Sequence, residues 1–132
     1  METAYKPDRY NSASPYLIVK GAAATIEFLR NVFSATPLRR IDRENGSIMH
    51  AEVRIDDTVI MLADEVENWP ACPAHVHIYV PDVDAVFASA LAAGATSIQE
   101  PSQKTSDDDK RGGFQDAGGT TWWVATQSSS SN

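Results

Sequence analysis

Along the chain the apolar positions switch from a strand-like to a helix-like spacing, and they do so twice in the same order. Pro15 to Lys20 is a short apolar run after polar, proline-containing sequence and predicts a strand. From Gly21, Ile26, Leu29, Val32 and Phe33 recur at helical intervals and predict one buried stripe, which Pro37 cannot continue. Leu38 to Arg43 predicts a strand, and Asn45-Gly46 a two-residue hairpin turn, because both residues tolerate positive φ. Within Ile48 to Ile55, alternation puts Met49, Ala51, Val53 and Ile55 on a core face and His50, Glu52 and Arg54 on a wet or pocket-lining face. Asp56-Asp57 turns into Thr58 to Ala63, whose near-continuous TVIMLA predicts a strand covered on both faces.

After a linker at Asp64 to Pro73 the order repeats. His75 to Val80 predicts a strand, and Val83, Val86, Phe87, Ala90 and Leu91 a helical stripe with Gly94 as its C-terminal cap. Thr96 to Glu100 predicts a strand, Pro101 to Lys110 an exposed, mobile loop able to serve as a lid, and Gly112 to Asp116 a further strand. Gly118-Gly119 turns into a last strand, Thr120 to Thr126, and the terminal SSSSN, residues 128–132, lacks the apolar content to order itself. Val19 and Val80 are counterparts after the opening strands, as are Ala35-Thr36 and Ala95-Thr96 after the helices. The duplication divides one domain into module one, about 14–64, and module two, about 74–127, and two similar sheets side by side leave a concave surface suited to a small molecule.

Composition narrows the function classes. The 132 residues suffice for one core, and the formal charge of −7 without a Lys/Arg stripe argues against nucleic acid or an anionic membrane while suiting a cationic ligand. No segment has the apolar length of a secretory signal or membrane span, which predicts a cytoplasmic protein. Cys72 is a single cysteine in a loop, so no intrachain disulfide forms, and no base adjacent in sequence activates it.

Read together, PYLIVKGAAATIEFLRNVF, IMHAEVRIDDTVIMLADE, HIYVPDVDAVFASALAAGAT and DAGGTTWWVAT resemble the glyoxalase/bleomycin-resistance/dioxygenase superfamily, also called the vicinal oxygen chelate fold, and within it the PhnB-like branch. The resemblance runs from Ser14 to Thr126 and implies an α+β fold of two βαβββ modules forming a cupped half-barrel sheet, in a homodimer. It also implies four metal-ligand positions, on the first and last strands of each module: Ser14, Met61, His75 and Trp123, where Trp123 replaces the glutamate of a pattern resembling DPxGHxxE. One imidazole among a serine, a methionine and a tryptophan does not hold a divalent ion, so the expectation is a site without metal or other cofactor. A displaced site from His50, Glu52, His75 and His77 is the alternative, because alternate strand residues project from one face.

The expected pocket is lined by Tyr16, Ile18, His50, Glu52, Val59, Met61, His75, His77, Tyr79 and Trp123, with Trp122 pointing the other way into the core. Aromatic faces, a polarizable sulfur and a few polar tips suit a flat organic ligand. The leading expectation is therefore a metal-independent small-molecule binding protein that sequesters an aromatic or cationic natural product such as an antibiotic. The alternative is an enzyme of the same superfamily: a metal-dependent lyase, isomerase or dioxygenase, or a metal-free isomerase with one histidine as base, although no nucleophile, base and orienting group stand out in the sequence.

Overall fold

Each copy of the repeated pattern folds as a strand, a helix and three strands. The computed structural model describes residues 4–128. Module one comprises β1 (Tyr16–Val19), α1 (Ala22–Phe33), β2 (Thr36–Asp42), β3 (Ile48–Ile55) and β4 (Thr58–Asp64). Module two comprises β5 (Ala74–Tyr79), α2 (Val83–Ala92), β6 (Thr96–Ser102), β7 (Lys110–Gln115) and β8 (Thr120–Thr126). The sheets have the orders β1-β4-β3-β2 and β5-β8-β7-β6, and in each the first strand pairs in parallel with the last. A parallel pair needs a long crossover, which the helix and two further strands supply.

The duplication extends to the helix entries. The backbone N–H of Ala22, first residue of α1, donates to Asp64 Oδ1 at 2.7 Å, and that of Val83, first residue of α2, to Thr126 Oγ1 at 2.9 Å. The last residue of the parallel partner strand thus satisfies a donor that each helix start leaves open. Asp64 also takes the Ile48 N–H on Oδ2 at 2.8 Å. Asp82 caps α2 by accepting from Ala85 N–H, and Gly94 at φ 103 ends it with Gly94 N–H on Leu91 and Ala95 N–H on Ala90.

Helix-facing residues of both sheets join one core. Leu17, Val19, Ile60 and Leu62 from module one and Phe114, Trp122 and Val124 from module two are buried in it, under Ile26, Phe28 and Leu29 of α1 and Phe87 and Ala90 of α2. Phe114 sits at the junction, its ring 6.0 Å from Phe28, 6.1 Å from Phe33 and 6.2 Å from Phe87. These aromatic contacts join the first helix to the second sheet.

Several local expectations change. Pro37 lies inside β2, because β2 is an edge strand where a missing N–H costs no ladder bond, and Pro101 lies inside the edge strand β6 for the same reason. The Asn45-Gly46 hairpin is longer than two residues: Arg43 N–H donates to Ser47, Gly46 N–H to Arg43, and Gly46 takes φ 89. Met49 is not on the core face. The pairing of Ile41 with His50 and of Asp42 with Ile48 leaves Met49 as an extra residue, which turns it outward and buries Ile48. Leu91 is likewise exposed, and α2 buries Val83, Phe87 and Ala90. The loop expected over Pro101 to Lys110 spans only residues 103–109 and is tied down, Gln103 Nε2 donating to the Asp108 carbonyl at 2.6 Å. The Ser128 hydroxyl donates to the Ser106 carbonyl, and the rest of the terminal serine run lies outside the described residues.

Candidate functional site

The face of each sheet turned away from the helices holds the candidate site residues. On the first, Tyr16 and Ile18 of β1 lie beside Met61 and Ala63 of β4, and His50 and Glu52 of β3 follow. A cleft of about 540 Å³ opens there between Tyr16, Ile18, Arg43, Met49, Ala63 and Trp69. Its large side chains stay uncovered: Tyr16 is 50% exposed, Met49 46% and Trp69 69%. Val59, expected in the lining, is fully buried.

Beside the cleft runs a chain of hydrogen bonds. The Tyr10 hydroxyl donates to Glu52 Oε1 at 2.5 Å, Glu52 Oε2 lies 2.8 Å from His50 Nε2, and His50 Nδ1 lies 2.8 Å from the Tyr16 hydroxyl. Burial pushes the Glu52 carboxyl up, but the hydrogen bonds from Tyr10 and His50 outweigh it and hold the group below the usual carboxylate range. The same bond raises the Tyr10 phenol, with burial adding to it. A phenol, an imidazole and an orienting carboxylate therefore do line up, although no such series stands out in the sequence. Nothing in the sequence marks Tyr10, which precedes the first periodic segment and belongs to no pattern.

On the second sheet Trp123 lies flat. Its indole N–H donates to His75 Nδ1 at 3.0 Å, the two rings are within 9° of parallel, and its six-membered ring covers Gly113 on β7. His77 accepts from Arg111 Nε at 3.1 Å, and burial first and the Arg111 charge second lower its basicity. The Tyr79 hydroxyl donates to Asp109 Oδ2 at 2.7 Å, and that bond, followed by the carboxylate charge, raises the phenol. Trp122, on the opposite face, is fully buried and donates its indole N–H to Asp116.

A β-carbon added at Gly113 would fall 2.6 Å from two Trp123 ring carbons, so Gly113→Ala is expected to lift the indole off the sheet. In a Trp69→Phe background the emission should move to the red and stability should drop by ~1–3 kcal/mol. An unchanged spectrum and melting curve would refute this seating of Trp123.

The expected site residues form two groups. Tyr16, Ile18, His50, Glu52 and Met61 share the first sheet, and His75, His77, Tyr79 and Trp123 the second, with no hydrogen bond or ring contact between the groups among the described residues. The metal positions that the resemblance implies do not fit a metal as they stand: Ser14 Oγ accepts from Asn11 at 3.1 Å, and the His75 nitrogen facing Trp123 is occupied by its N–H. The displaced set does not assemble either, since no three His, Cys, Asp or Glu side chains cluster as a metal site among the described residues.

A family model described as the Glyoxalase/Bleomycin resistance protein/Dioxygenase superfamily matches residues 8–124. The chain belongs to this superfamily. A Mycobacterium bovis protein is 36% identical over 96 residues, which is 64% of this chain and 63% of that protein, so the match spans less than two thirds of the relative's length. Among solved structures, TioX from Micromonospora sp. ML1 superposes with a TM-score of 0.73 at 22% identity, covering 88% of this chain and 99% of TioX. A PhnB protein from Bacillus cereus gives 0.70 at 18%, covering 88% and 99% of the two chains. TnmS3 from Streptomyces sp. CB03234, described as an antibiotic binding protein, gives 0.69 at 17%, covering 96% and 100%. The likeness to these structures establishes the fold, with its PhnB-like neighbours.

Proposed function

We propose that the chain is a metal-independent small-molecule binding protein of this superfamily that sequesters a flat aromatic or cationic compound, such as an antibiotic. The observation that carries the reading is the first-sheet cleft, where Tyr16, Met49 and Trp69 leave large apolar faces uncovered around about 540 Å³ of space. Apolar surface gathered in a concavity stabilises a bound ring system by burial and stacking. The net charge of −7 favours a cation over an anion. The fold likeness to TnmS3, described as an antibiotic binding protein, supports an antibiotic as the kind of compound bound.

Titration with a planar cationic probe, ethidium, should quench tryptophan emission, and Trp69→Ala should weaken binding ~5–50-fold. The affinity should be unchanged by EDTA. Near-stoichiometric retention of zinc, nickel, manganese or iron after dialysis, abolished by His75→Ala, would instead support the metal-dependent lyase, isomerase or dioxygenase reading. We also propose a homodimer, with a second copy bounding the open sheet faces that each chain leaves exposed, and sedimentation of a monomer throughout the micromolar range would count against it.

A further inference from the structure

We infer that the first-sheet cleft selects ligands that bring a hydrogen-bond donor, such as a phenol or a protonated amine, because the Tyr16 hydroxyl turns its lone pairs to the cleft and its proton to His50. The inference rests on the binding reading above and adds a polarity to that site. Its starting point is Glu52, only 5% exposed, whose ionised carboxylate can only accept hydrogen bonds. Burial opposes that charge, yet the donors from Tyr10 and His50 keep the carboxyl below its ordinary range. Tyr10 fills Oε1 at 2.5 Å, and Oε2 lies 2.8 Å from His50 Nε2, so Nε2 must carry a hydrogen. In the neutral imidazole Nδ1 is then the acceptor, and the group 2.8 Å from it is the Tyr16 hydroxyl.

A phenol has one proton. Tyr16 therefore donates inward, and what its oxygen offers a ligand is acceptor capacity. The ring lines the cleft and is half exposed, so a ligand can reach it. Arg43, on the same cleft, directs Nη1 to Ser47 Oγ at 3.2 Å and to the Asp64 carbonyl at 3.4 Å. A ligand oxygen without a hydrogen would meet Tyr16 lone pair to lone pair, whereas a phenol or ammonium would extend the series inward to the buried carboxylate. Glu52 and His50 act here as positioning residues for Tyr16.

Two measurements near pH 8 test this. Nitrogen-15 spectra of the histidine rings, assigned with His50→Gln, should show hydrogen on Nε2 and a lone pair on Nδ1 of His50. Calorimetry should show 2-naphthol binding ~10-fold more tightly than 2-methoxynaphthalene, which has no donor. Tyr16→Phe should bring the two affinities together while both probes still bind. Glu52→Gln, checked for a native melting curve, should free His50 to adopt the other tautomer and shrink the preference. A hydrogen on Nδ1 of His50, or a naphthol preference that survives Tyr16→Phe, would overturn the inference. If the His50 tautomer is as expected and neither probe binds at millimolar concentration, the binding reading itself fails and the ligand class falls with it.

Discussion

Trp122→Ala is expected to destabilise the protein by ~3–5 kcal/mol, lowering the melting temperature by roughly 10–20 °C, whereas Trp123→Ala one position later should leave the fold largely intact. The indole of Trp122 is fully buried in the shared core, 5.6 Å from the Phe33 ring, so its removal empties volume that α1 and the second sheet cannot both close over. Trp123 is on the other face of β8, spread over Gly113 with its N–H on His75, and what it loses on truncation is mostly surface contact. If the second open face takes part in ligand binding, Trp123→Ala should weaken a stacked aromatic by ~1–3 kcal/mol. Thermal melts and titrations of both variants check the pair. A Trp123 variant that unfolds beside a stable Trp122 variant would mean that the strand's faces are reversed.

Much of this geometry was legible because strand alternation is a strict rule. It separates Trp122 from Trp123 and puts His50 and Glu52 on one face without reference to any fold. The same rule misplaced Met49, because the extra residue in β3 shifts alternation between Met49 and Ala51 and shows only in pairing with β2. Pro37 and Pro101 misled for a related reason. A proline argues against a central strand, and sequence alone does not reveal which strands are edges.

The site was harder to read than the fold because its contacts join distant segments. Tyr10 reaches Glu52 from the aperiodic N-terminal stretch, and Trp69 reaches the cleft from the linker between modules. Gly113 reads as a weak strand residue until its partner Trp123 is seen to need the missing side chain. The division of the site residues between two sheets also lay beyond alternation, which says which residues share a strand face and nothing about which faces meet. What alternation could supply was the pairing of His50 with Glu52, and the hydrogen-bond series from Tyr10 to Tyr16 is built around that pair.

Asp116→Ala should destabilise the protein about as much as the loss of Trp122, by ~3–5 kcal/mol, although it removes only a small side chain. The carboxylate is 6% exposed and takes three donors: Gly118 N–H at 2.9 Å and Thr120 N–H at 3.1 Å on Oδ1, and the Trp122 indole N–H at 2.9 Å on Oδ2. It thus holds the Gly118-Gly119 turn closed and satisfies the polar atom of the buried indole at once, and truncation leaves these donors without their acceptor. Asp116→Asn should cost less, ~1–3 kcal/mol, because an amide oxygen can still serve the turn while its NH2 faces the indole N–H. Pairing each variant with Trp122→Phe, which removes that N–H, tests the division of labour through chemical denaturation. Much of the Asp116→Asn cost should vanish in the Trp122→Phe background, since the clash of two donors is gone, whereas the Asp116→Ala variant should keep the part owed to the turn. Costs that simply add across both pairs would show that Asp116 and Trp122 stabilise the second module independently, and would remove the carboxylate from the account of how the core is held.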